Sequence, residues 1–133
     1  MEKLSKEKKQ KILDSFGKTV IEDVRDGVLE VSMNIAKYKT PNPIKLKQYA
    51  AFSTLSEEQQ EMFCDLLSET ITETIYRFMA IFEENPDEMK LILTKDAQDY
   101  DLVEISEKVG SEIAFNDESG WIQQFSKIGR FVL

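Results

Sequence analysis

Between Lys6 and Lys37 the apolar positions Leu13, Phe16, Val20, Val24, Val28, Val31 and Ile35 stand three or four residues apart, the spacing of one face of an α-helix. Glu22, Asp23, Arg25, Asp26 and Glu30 predict a solvated opposite face. Ser5 is placed to cap the start of this helix. Gly17 and Gly27 each weaken its interior and mark points where it can bend.

A second stretch, Ser56 to Asn85, carries the stronger pattern. Phe63, Leu67, Ile71, Ile75, Phe78 and Phe82 predict an inward face, while Glu57, Glu61, Asp65, Glu69 and Glu73 recur every four residues and are expected to lie roughly opposite it. Ser56 followed by Gln59 has capping-box spacing, and Glu57 and Glu58 suit the positive end of the helix dipole. Asn85-Pro86 stops the helix. Ser68, Thr70, Thr72 and Thr74 are mediocre helix formers, so tertiary packing must hold its middle.

The remaining elements are short. Pro41 and Pro43 end the first helix, and Pro43 then suits the first position of a helix from Ile44 to Phe52. Asn85-Pro86-Asp87-Glu88 has the form of a further helix start. Met89 to Thr94 reads as helix or short strand, with helix preferred. Asp101 is placed to cap a helix over Leu102–Ile113, with Leu102, Ile105, Val109 and Ile113 on one face. After a turn-rich loop from Phe115 to Gly120, Trp121 or Ile122, Phe125, Ile128 and Val132 fall at helical spacing and are expected to close the core.

The fold class expected is therefore mainly α: one domain over residues 1–133, a helical bundle of four to six helices. Two long helices, about 7–36 and 57–84, are expected to pack near-antiparallel, with room for one short β pairing near residues 90–95. A chain of 133 residues can bury a single continuous core. No apolar run reaches the roughly 20 residues that span a bilayer, and the first residues do not read as an export signal. A cytoplasmic location is the expectation.

Composition narrows the chemistry. The chain has no histidine and one cysteine, Cys64, which removes imidazole bases, intrachain disulfides and Cys- or His-based zinc sites. Cys64 is read as a small buried hydrophobe. The net charge of −8 divides into +4 over residues 1–50 and −12 over residues 51–133. That balance disfavours nucleic acid and anionic membranes as partners. Lys37, Lys39, Lys45 and Lys47 with Tyr38 and Tyr49 form a basic-aromatic cluster, read as a solvated loop. Trp121, near Asn116, Asp117 and Glu118, is read as a core anchor ahead of a ligand lip.

The acidic row raises the main functional question. Glu57-Glu58-Gln59-Gln60-Glu61 and Glu84-Asn85-Pro86-Asp87 have the forms E-E-x-x-E and E-x-x-D, which resemble the paired acidic motifs of all-α nucleotide pyrophosphohydrolases. The resemblance implies Mg²⁺ held by Glu57, Glu58, Glu61, Glu84 and Asp87 against a nucleotide's phosphates. Pro86 interrupts the second motif. The preferred reading is a non-enzymatic interaction module without a cofactor, in which Glu57, Glu61, Asp65, Glu69 and Glu73 engage a basic protein partner. In size and charge the chain is similar to small acidic bacterial immunity proteins and antitoxins. Self-association stays open, because two long amphipathic helices exceed what so few other elements can cover.

Overall fold

The computed structural model describes residues 4–37, 40–106, 108–113 and 120–128. Tyr38, Lys39, residues 115–119 and Val132 lie outside them. The fold is mainly α with one small antiparallel sheet. In chain order it comprises α1 (Lys6–Thr19), a π-helical segment (Val20–Asp26), α2 (Gly27–Ala36), α3 (Pro43–Gln48) and a 3₁₀ turn (Ala50–Thr54). There follow α4 (Glu57–Glu84), β1 (Ile92–Lys95), β2 (Gln98–Asp101), α5 (Leu102–Ile105), a second 3₁₀ turn (Val109–Ile113) and α6 (Trp121–Phe125).

The helix starts follow their side-chain caps. Ser5 Oγ accepts from the Lys8 N–H at 3.1 Å, and Asn42 Oδ1 accepts from Ile44 and Lys45 ahead of Pro43. Ser56 and Gln59 form the reciprocal capping box that opens α4, leaving few donors of the first turn without a partner. At the other end Asn85 does not begin a new helix. Its backbone and side-chain N–H groups both donate to the Ile81 carbonyl, closing α4.

α1, the π segment and α2 run as one continuous rod antiparallel to α4: Arg25 meets Thr72 and Ser68, while Ile35 shares a groove with Phe63 and Leu67. The inward faces differ from the sequence expectation on both helices. On the first rod the buried line is Ile12, Leu13, Gly17, Ile21, Arg25 and Leu29. Arg25 and Asp26, expected in solvent, are buried, and Val24, Val28 and Val31, expected inside, are exposed. The π segment explains the change, because a wider turn resets the phase of the pattern on which the expectation rests. On α4 the buried line is Cys64, Ser68, Thr72 and Met79, with Ile75 packed beside it, whereas Phe63 and Phe78 are half or more exposed.

Met89–Thr94 is not helical. Leu93 pairs with Tyr100 and Lys95 with Gln98 in a hairpin closed by Asp96 and Ala97, both at positive φ (52° and 63°). Two consecutive left-handed residues make a type I′ turn, whose twist matches that of paired strands and so favours strand over helix here. The expected helix over Leu102–Ile113 is also interrupted: α5 is a single turn capped by Asp101, and Ser106 is extended, its Oγ donating to Glu112. Leu102, Val109 and Ile113 are nevertheless buried as expected. α6 stops at Phe125 rather than running on through Ile128.

The core gathers Ile12, Leu13, Ile21, Met79, Leu102, Val109, Ile113, Trp121 and Ile122. Trp121 is fully buried and lies flat on Gly17, so close that a Cβ there would stand inside the indole. Phe16 meets the same ring edge-on at 5.7 Å between centroids. A glycine that weakens a helix by about 1 kcal/mol thus provides the floor for the largest side chain of the core.

Candidate protein-interaction surface

α4 carries eight carboxylates and one cation, Arg77. At about 100° per residue, Glu57 and Glu61 lie near the buried line of the helix, and Asp65, Glu69 and Glu73 drift round to its outer side. The row therefore begins beside the core face instead of standing opposite it. Glu57, Glu61, Glu69 and Glu73 are exposed and Asp65 is half-buried. Arg77 pairs with Glu73 at 2.9 Å, both side chains well exposed, a contact worth a few tenths of a kcal/mol.

The same wheel places Met62, Leu66 and Tyr76 among the acids, and all three are exposed, Met62 at 66% and Leu66 at 61%. A groove of about 710 Å³ runs over this side of the helix, lined by Leu66, Glu69, Thr70, Glu73, Thr74 and Arg77, with Thr72 at its base. The surface thus combines solvent-facing apolar side chains with carboxylates around them. An apolar centre and a polar rim is the common anatomy of a protein-binding patch. The hydrophobic pattern alone did not reveal Met62 and Leu66 as part of it; their interleaving with the acids, Glu61-Met62 and Asp65-Leu66, is the signal that finds them.

The five carboxylates of the metal reading do not come together. Glu57, Glu58 and Glu61 occupy the first turns of α4, whereas Glu84 is its last residue and Asp87 lies just past its end. At 1.5 Å per residue, roughly 35 Å of helix separates Glu61 from Glu84. Among the described residues no group of three or more acids or cysteines is spaced to hold a metal ion.

Beneath this surface lies a buried polar cluster. The Arg25 guanidinium, 2% exposed, donates to Asp26 Oδ1, Ser126 Oγ, Ser68 Oγ and Thr72 Oγ1 at 3.1–3.2 Å. Asp26 accepts in addition from Ser126 Oγ and the Lys127 N–H, each at 2.8 Å. Burial pulls the guanidinium below its ordinary value, and the neighbouring carboxylate opposes that shift. These bonds tie the first rod, α4 and the segment after α6 together, and they account for the small polar residues on the inner line of α4. Cys64 lies on that line, its thiol pushed up by burial and then by Asp65.

A second cleft, of about 720 Å³, opens between α1 and the hairpin, lined by Lys8, Lys9, Asp99, Tyr100, Asp101 and Glu104 among others. The Lys8 ammonium stands 5.9 Å from the Tyr100 ring centroid. Both signs of charge line this cleft, so it selects neither an anion nor a cation.

In comparison with known proteins, no family model, no curated protein and no solved structure matches the chain. No helix among the described residues is long and apolar enough to cross a membrane.

Proposed function

We propose that the protein is a non-enzymatic interaction module whose outer α4 surface docks a basic protein partner. The observation that supports this is the exposure, on one helix, of Met62 and Leu66 within a row of carboxylates that has Arg77 as its one cation on α4. Like charges four residues apart on a helix cost a few tenths of a kcal/mol per pair. A lysine- or arginine-bearing partner relieves that repulsion, and its apolar side chains cover Met62 and Leu66. A long-range acidic field also speeds encounter with a basic partner, and this effect is lost as salt screens it.

The test is affinity capture on the immobilised chain at low ionic strength, with wild type beside Glu61→Lys/Glu69→Lys. A basic protein should bind the wild type, elute as salt rises, and fail to bind the variant. Capture that is indifferent to both salt and the substitutions overturns the reading.

A further inference from the structure

The opposite flank of the helix pair is apolar without being acidic. Val24, Val28 and Val31 are 46%, 46% and 61% exposed, and Phe63 and Phe78 are 50% and 61% exposed. On the first rod Val24, Val28, Val31 and Ile35 form one row at helical spacing; on α4 Phe63, Leu67, Ile71 and Phe78 form another. Ile35, Phe63 and Leu67 line one common groove, so the two rows open on the same side; Tyr49 and Phe52 flank that groove, Phe52 meeting the Phe63 ring edge-on at 5.2 Å. None of these eight positions holds a charged residue.

We propose that this face binds a second copy of the chain, giving a two-fold dimer in which the helix pairs of the two copies stack face to face as a four-helix bundle. Three observations favour that occupant. The rows lack charge, so they offer nothing to a basic partner, which the carboxylates on the far side of α4 would attract instead. A net charge of −8 opposes approach to an anionic lipid surface, and the rows lack the lysines and arginines of a membrane-lying helix. The exposed parts of the three valines and two phenylalanines amount to roughly 450 Å² per copy, and Ile35, Leu67 and Ile71, with the exposed Tyr49 beside them, extend this toward the ~800 Å² per partner that a standard interface buries. A two-fold axis parallel to the helices sets the small valine row of one copy against the large phenylalanine row of the other, which lets the side chains interlock. The acids remain on the outside, where the charges of the two copies are far apart.

Sedimentation equilibrium of the full chain over a wide concentration range tests this, together with Val28→Glu/Val31→Glu. Both positions are exposed in the single copy, so the variant should keep the wild-type circular dichroism spectrum. The wild type should sediment at twice 15.4 kDa and the variant at that mass itself. A wild type that stays monomeric, or a dimer that survives the two substitutions, overturns the proposal. A monomer that floats with phosphatidylcholine vesicles also overturns it and assigns the face to lipid.

Discussion

Arg25 and Asp26 are adjacent in sequence, yet both side chains are buried and meet at 3.1 Å. In a regular α-helix consecutive side chains diverge by about 100°, and the wider turn of the π segment brings them closer in direction. The pair then anchors hydroxyls from α4 and the polypeptide after α6. Arg25→Ala leaves Asp26 buried without its cation and should destabilise the fold by ~3–5 kcal/mol, read from urea unfolding midpoints. Arg25→Lys should recover little of this, because an ammonium cannot serve four acceptors in a planar fork. A variant as stable as wild type would show that the cluster is not holding the helices together.

The contact between Gly17 and Trp121 leads to an ordered series. Gly17→Ala ordinarily favours a helix by up to about 1 kcal/mol, but here the methyl meets the indole, so the melting temperature should fall. Trp121→Ala removes a fully buried ring and should cost ~3–5 kcal/mol. Trp121→Phe should cost clearly less, since Nε1 donates to no partner among the described residues and its loss removes an unsatisfied donor.

The hairpin turn predicts a gain. Ala97 is held at φ 63°, where an L side chain is disfavoured by roughly 1–2 kcal/mol and glycine is not. Ala97→Gly converts Asp96-Ala97 to the Asp-Gly pair that type I′ turns prefer. The variant should be more stable by up to about 1 kcal/mol, after the entropy glycine adds to the unfolded chain is deducted. Thermal unfolding measures it, and a loss of stability would contradict the turn geometry.

How far the sequence revealed these features depends on which physical signal each residue carries. Caps are local, and Ser5, Asn42, Ser56–Gln59 and Asp101 all act where their spacing places them. The long helices, and the exposure of most of the acidic row, were legible for the same reason. Faces were not. The inner line of α4 is Cys64, Ser68 and Thr72, small residues that no hydrophobic periodicity marks, and Ser68 and Thr72 face inward where their hydroxyls accept from Arg25. The π segment then displaces the valine row outward, a phase shift visible only in three dimensions. The reading of Met89–Thr94 as helix failed because Asp96-Ala97 lacks the glycine that announces a hairpin.

Cys64 supplies a pH-dependent prediction. Burial, and then the charge of Asp65, raises its thiol above the ordinary value. Below that ordinary value both folded and unfolded chains hold the proton, and the thiol contributes no pH dependence. Above it the unfolded chain ionises first and binds fewer protons than the folded one, so stability falls with rising pH until the folded thiol also ionises. Urea midpoints should therefore decline through the alkaline range in the wild type and decline less in Cys64→Ala, which itself costs little at neutral pH because the side chain is small. The same burial should slow the reaction of the native thiol with a disulfide reagent by orders of magnitude relative to the urea-unfolded chain. Equal reaction rates in the two states would place Cys64 at the surface and remove the cause assigned to its shift.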